Sequence, residues 1–269
     1  MPFRPFPDMN EKLQVWSCGG GTQSCAIGAL IVQGKLPKPD LCVIADTGRE
    51  TGATWEYLDG VLNPALSSVG LEVLRIKAEE WSYHGTKISY SNTTRAIPVY
   101  STLNGCVAKC PNYCTRNWKI DVMRRWLSSV VGITKSHCRF WIGFSRDEQS
   151  RVVRAMQHKD YQSGQTFLPL VEGFSMTRRE AIAAVERIGW PTPPRSACWM
   201  CPNHSDHEWR KLIAERPDEF QKAVGLEREI HKLDPDAWLH RSCVPLDQVD
   251  FSQPEELFSR PCDSGMCFV

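Results

Sequence analysis

Over its first eighty residues the chain alternates between short apolar runs and helix-length segments. This alternation limits the fold more than any other feature. "LQVWSC" (13–18) reads as a short buried strand, "LCVIADTG" (41–48) as a second, apolar strand and "LEVLRIKA" (71–78) as a third strand. "SCAIGALIVQG" (24–34) and "ETGATWEYLDGVLNPALSSVG" (50–70), lying between them, have the length and spacing of helices. Strand, helix, strand, helix, strand implies a parallel sheet with crossover helices, because parallel neighbours need a long return path. The predicted fold class is therefore α/β: a parallel twisted sheet flanked by helices, Rossmann-like, with a C-terminal helical and cysteine-rich extension.

The rest of the chain extends this pattern. Residues 82–117 are rich in Ser, Thr, Asn and Gly and read as a long loop. "NWKIDVMRRWLSSVVG" (117–132) reads as a helix and "CRFWIGFS" (138–145) as a fourth strand. "MTRREAIAAVERIG" (176–189) is a helix that Thr177 can cap, with Glu180 three residues on. "PTPPRSACWMCPNHS" is a rigid loop, and the segment from Asp206 to Leu233 is helical with a break near Pro217. The expected division is a first domain over 1–175 and a C-terminal region over 176–269 packed on it.

Three glycines follow the first strand directly, in "VWSCGGGTQSC" (15–25). Each ordered glycine costs roughly 0.5–1 kcal/mol relative to Ala within a regular element, so a role for bare backbone is expected. A glycine turn between a strand and a helix presents backbone N–H groups at a helix N-terminus, which favours an anion. Ser17, Thr22 and Ser24 add hydroxyls. The pattern is neither G-x-x-x-x-G-K-[ST] nor G-x-G-x-x-G.

"SCGGGTQS" resembles the PP-loop of the ATP-pyrophosphatase superfamily, usually S-G-G-x-D-S. The branch it most resembles contains the phosphoadenylyl-sulfate (PAPS) reductases and related, often phage-encoded, enzymes. Here Gln23 stands in place of the usual Asp and Gly21 lengthens the glycine run. "ADTGRET" (45–51) resembles the family's D/N-T-G-x-E segment, "CTRNWKI" (114–120) its C-T-x-x-x-K-I segment, and "WIGFSRDEQSR" (141–151) its I-G-x-x-x-D-E-x-x-R segment. The four lie in order over residues 15–151.

The resemblance implies an adenine nucleotide alpha hydrolase-like fold and a nucleotide grip made by Ser17, Cys18, Gly19, Gly20, Gly21, Thr22, Gln23 and Ser24. Asp46, Thr47, Gly48, Glu50, Gly143, Arg146 and Arg151 would complete that grip. Arg116 and Lys119 are the candidate substrate-binding residues. Asp147 is a candidate catalytic carboxylate, although it and Glu148 read equally well as nucleotide contacts or loop caps. The expected ligand is ATP with Mg²⁺, or the sulfonucleotides APS or PAPS.

Twelve cysteines are many for 269 residues, and nothing in the sequence suggests an oxidised framework. Cys198 and Cys201 form a C-x-x-C in "SACWMCPNH", a spacing that lets two thiolates turn onto one metal. The resemblance supplies Cys114 as a third ligand, through family members that carry iron–sulfur clusters. Cys110, Cys106 or a tail cysteine is the fourth, or one iron stays open. A [4Fe–4S] cluster is the expected cofactor, with structural zinc, His204 nearby, as the alternative. The tail "CDSGMC" carries Cys262 and Cys267, candidates for a nucleophile or persulfide carrier. The E-C-G-x-H setting of PAPS reductases is absent.

The expected function is a PP-loop enzyme that binds ATP, adenylates a substrate and transfers sulfur. One alternative is an APS/PAPS reductase using a tail cysteine. Another is a non-catalytic, zinc-stabilised nucleic-acid-binding module, suggested by Arg195, Arg210 and Lys211 around the C-x-x-C. Expected partners are the nucleotide, an acceptor (nucleobase, nucleic acid or small metabolite) and a sulfur donor or thiol reductant, with a homodimer as the assembly considered. Lys and Arg number 32 against 31 Asp and Glu, so global charge gives no nucleic-acid signal. No apolar run approaches the ~20 residues of a bilayer span, and "MPFRPFPDMNEK" lacks the apolar core of a signal peptide. The expected location is the cytoplasm.

Overall fold

The computed structural model describes residues 12–83, 88, 90–91, 94–103 and 106–252. Five strands make one sheet: β1 (Leu13–Ser17), β2 (Leu41–Asp46), β3 (Val73–Lys77), β4 (Cys138–Ile142) and β5 (Thr166–Phe167). Their order is β3-β2-β1-β4-β5 and every pairing is parallel. The fold is α/β and Rossmann-like. Register places Val15 opposite both Leu41 and Phe140, so β1 is the central strand. Its interior residues Gln14, Val15 and Trp16 are all buried, as expected where both faces are covered, and the one polar member, Gln14, has a hydrogen-bond partner in Trp141.

Helix α1 (Thr22–Val32) returns the chain from β1 to β2. Residues 24–31 are all buried, so "SCAIGALI" is apolar around nearly its whole circumference. A helical run from Gly52 to Ser67, π-helical over Leu58–Leu62, returns β2 to β3. Helix α2 is Gln149–Gln157 and helix α3 is Arg178–Glu186. Helices α1 and α3 pack together, and Trp16, Cys42, Leu58, Leu62, Trp141, Ala181 and Val185 share their apolar cluster. A helical segment over Asp121–Trp126 packs against β2 and β3. The indole of Trp141 donates to Gln14 Oε1 at 2.9 Å and stacks edge-on against Phe167, centroids 5.4 Å apart.

The chain divides into two compact units, each built from two segments. The first is Met1–Ser82 with Asp121–Ser196, the second Tyr83–Ile120 with Ala197–Val269. Helix α3 therefore belongs to the sheet-bearing unit, since it covers α1. In the second unit Tyr100–Leu103 and Cys106–Lys109 pair antiparallel, and Tyr100 exchanges two 2.8 Å backbone hydrogen bonds with Trp238. Helices α4 (Asp206–Glu215) and α5 (Pro217–Leu233) follow, meeting at Arg216 with Pro217 opening α5. Trp209 is fully buried there and packs against Phe220, Phe251 and His204. Among the described residues no helix is long and apolar enough to cross a membrane.

Candidate functional site

Three of the four segments picked out by sequence extend from the carboxyl ends of three adjacent strands. The glycine loop follows β1, residues 46–51 follow β2, and residues 143–151 follow β4. Connections from β1 run one way to β2 and β3, while β4 lies on its other side. Such a reversal leaves a crevice at the strand ends, where open α/β sheets bind ligands.

The loop after β1 is braced from below. Cys18 N–H donates to Val43 O at 2.8 Å, and Gly19 N–H to the Ser24 hydroxyl at 2.8 Å. Gly20 has φ +70°, and a Cβ there would meet Thr54 Cγ2 at 2.6 Å. A Cβ on Gly21 would lie 3.0 Å from Ser196 N. No side chain caps α1, and the N–H groups of Gly21, Thr22, Gln23 and Ser24 have no partner among the described residues. A run of free donors at a helix start is an anion cradle. Beneath it lie three buried thiols. The Cys42 thiol, hydrogen-bonded to Cys18, holds the Cys18 thiol below its ordinary value despite burial, while burial pushes Cys25 and Cys42 well up.

After β2, Asp46 accepts from Gly48 N–H at 2.8 Å and Thr47 from Arg49 N–H at 3.3 Å. Glu50 is buried and takes a 2.6 Å hydrogen bond from Ser196 and a longer one from Thr54. After β4, Glu148 is a hub. Its Oε2 accepts from Gln23 Nε2 at 3.1 Å, Ser145 N–H at 2.9 Å and Ser145 Oγ at 3.0 Å, and its Oε1 pairs with Arg151. Gln23 thus bridges the glycine loop to the β4 loop, where Gly143 lets the two backbones approach. Asp147 accepts from Arg178 N–H at 3.0 Å, so its carboxylate sits at the start of α3 as a loop cap. Arg146 N–H donates to Met176 O at 2.6 Å.

The second unit carries Arg116, Lys119 and the candidate metal ligands. Cys198 O accepts from Cys201 N–H and Cys201 O from His204 N–H, each at 3.0 Å, so the C-x-x-C is one turn and a second turn follows it. Burial, then the neighbouring Cys198 thiol, pushes Cys114 up to about 11, with Lys119 opposing. Cys114 and Cys198 are therefore electrostatic neighbours. Cys110 is half-buried, its N–H on Val99 O at 2.9 Å. Among the described residues no three His, Cys, Asp or Glu side chains form a group able to hold a metal. Cys262 and Cys267 lie outside the described residues.

An open cleft of about 400 Å³, lined by Asp40, Cys42, Ser67 and Glu72 among others, lies at the amino-terminal end of β2 and β3. It is at the sheet edge opposite the glycine loop and is not the strand-end crevice. Sequence reasoning missed Ser145 and Ser196. Ser145 lies inside the quoted "WIGFSRDEQSR", while nothing local marks Ser196 as the residue packed on Gly21. Set against known proteins, the chain finds no match among family models, curated proteins or solved structures.

Proposed function

We propose that the chain is a nucleotide-dependent enzyme of the PP-loop type, which binds ATP at the glycine loop and adenylates a substrate oxygen for sulfur transfer. The observation that supports this is the set of unpartnered N–H groups at Gly21–Ser24, at the carboxyl end of the central strand and flanked by the Asp46–Glu50 and Gly143–Arg151 loops. A phosphate chain seated there gains charge-assisted hydrogen bonds and the α1 dipole. The substrate oxygen attacks the α-phosphorus, its bond to the bridging oxygen of pyrophosphate breaks, and pyrophosphate departs. The adenylated oxygen then leaves as AMP when a sulfur nucleophile attacks the same substrate carbon. Glu148 and Gln23 hold the two loops in register. A [4Fe–4S] cluster or a zinc ion at Cys114, Cys198 and Cys201 belongs to this reading as an expectation, and no step above passes through it.

One observation favours the sulfonucleotide alternative. Position 23 offers an amide instead of a carboxylate, and Glu148 is committed to Gln23, Ser145 and Arg151. The loop thus has fewer carboxylates for Mg²⁺ than the resemblance implies, which suits APS or PAPS better than MgATP. Calorimetric titration with MgATP, APS and PAPS separates the readings. MgATP binding that is lost in Gly20→Ala supports the first, and binding of APS or PAPS alone supports the second. Binding of none of the three overturns both.

A further inference from the structure

Outside the nucleotide loops, the most fully built polar constellation is the segment 239–246 of the second unit. His240 is 5% exposed. Its Nε2 lies 3.0 Å from Asp206 Oδ1 and its Nδ1 lies 2.8 Å from Ser242 Oγ. The Ser242 backbone N–H also donates to Nδ1, at 3.2 Å. Nδ1 is therefore the acceptor, and the ring proton sits on Nε2, facing the carboxylate. Arg241 donates to the other oxygen of Asp206 at 2.8 Å, and Phe251 packs edge-on against the imidazole with centroids 5.5 Å apart. The orienting carboxylate and the base are both buried, whereas Ser242 is exposed.

Three features set this apart from an ordinary turn. Buried Glu227 grips both ends of the segment, accepting from Leu239 N–H at 2.8 Å and Leu246 N–H at 2.6 Å. The hydroxyl, at 2.8 Å, is the nearer of the two donors that share the Nδ1 lone pair, and the Ser242 N–H contact at 3.2 Å is the longer one. Beside it Cys243 has φ +53°, a left-handed conformation that a side chain adopts at a cost and that recurs at functional loops. Nucleophile on base and base on carboxylate is the geometry of an activated serine.

We propose that Ser242 is a nucleophile for acyl transfer from carboxylic esters, with His240 as its general base and Asp206 as the group that orients His240. Ser242 Oγ bonds to the acyl carbon as its proton passes to His240 Nδ1. The bond from that carbon to the alkoxy oxygen breaks, and the leaving alcohol takes the proton from Nδ1. Water then attacks the acyl-serine, its proton going to Nδ1 and from there to Ser242 Oγ, so the sum is ester plus water giving acid plus alcohol. This site is independent of the nucleotide reading.

The test treats the full chain with a fluorophosphonate probe, which forms a bond from serine oxygen to phosphorus and expels fluoride, and reads intact mass and the modified peptide. One adduct at Ser242 is expected, absent in Ser242→Ala and formed about 100-fold more slowly in His240→Gln. Hydrolysis of p-nitrophenyl acetate should fall in the same two variants. The wild-type labelling rate should also rise to a plateau as His240 deprotonates, a readout that does not depend on the variant folding. No adduct at Ser242, or a rate that tracks hydroxide alone without a plateau, overturns the proposal. So does equal labelling in a folded His240→Gln protein.

Discussion

At the scale of single residues, the glycine loop is specified by close approach. Gly20 combines φ +70° with a prospective Cβ contact of 2.6 Å to Thr54. Gly20→Ala should cost about 2–4 kcal/mol from the left-handed backbone and the overlap together. Its thermal midpoint, followed by circular dichroism, should fall well below that of the wild type. Gln23 answers a different constraint. Its amide donates to a carboxylate that Ser145 and Arg151 also hold. An acid at position 23 would face Glu148, so Gln23→Glu should destabilise by about 1–3 kcal/mol. Adding Glu148→Gln should restore part of that loss, because the donor and acceptor have then exchanged places. A double-mutant cycle measured by urea unfolding checks this, and additive losses would mean that the two side chains do not interact. The identity of residue 23 was legible in the sequence. Its partner was not, since 125 positions separate the two.

At the scale of elements, the α/β pattern was legible because β1 to β4 are apolar runs separated by helix-length segments. β5 was not, because Thr166–Phe167 is two residues long and acquires strand character only by pairing with Phe140 and Trp141. Residues 100–109 read as loop by composition, although Asn104-Gly105 stands between the two strands found there, and that dipeptide is a strong hairpin signal. The helix caps fared better. Thr177 and Glu180 form the predicted capping box on α3, and Ser205 with Glu208 repeats it on α4. Thr177→Ala and Ser205→Ala should each cost about 1 kcal/mol, read from urea unfolding. The loop 239–246 adds a pH dependence. Burial, against the pull of Asp206 and with help from Arg241, lowers the His240 pKa. The unfolded chain therefore takes up this proton first as pH falls. The contribution of His240 is complete above its ordinary value of about 6.5 and is lost as pH drops through the lower folded value. Thermal midpoints should fall more steeply in acid for the wild type than for His240→Gln. Parallel curves would show that another group controls the decline.

At the scale of the whole molecule, the cysteines divide by environment. Cys18, Cys25, Cys42 and Cys138 are buried in the sheet-bearing unit, where a thiol packs as a small hydrophobe. Cys106, Cys110, Cys198 and Cys201 belong to the second unit and are exposed or half-buried, and Cys114, in the same unit, is more enclosed, its thiol raised by burial. Thiols that face solvent or a polar setting can lose a proton to a metal at far lower cost than thiols in an apolar core. The proposed metal therefore belongs with the second group, centred on the turn that carries Cys198 and Cys201. Protein purified without oxygen should hold iron and acid-labile sulfide in equal amounts, about four of each per chain for one cubane cluster. Its broad absorption near ~400 nm should disappear in Cys198→Ala and persist in Cys138→Ala. Removing the metal by chelation should unfold the second unit's C-x-x-C region while leaving α1 and the parallel sheet protected from hydrogen exchange. Zinc at about one per chain with no visible absorption would instead make the turn a structural knuckle. The proposed sulfur transfer would then rest on the glycine loop, its two neighbouring loops and the tail thiols Cys262 and Cys267.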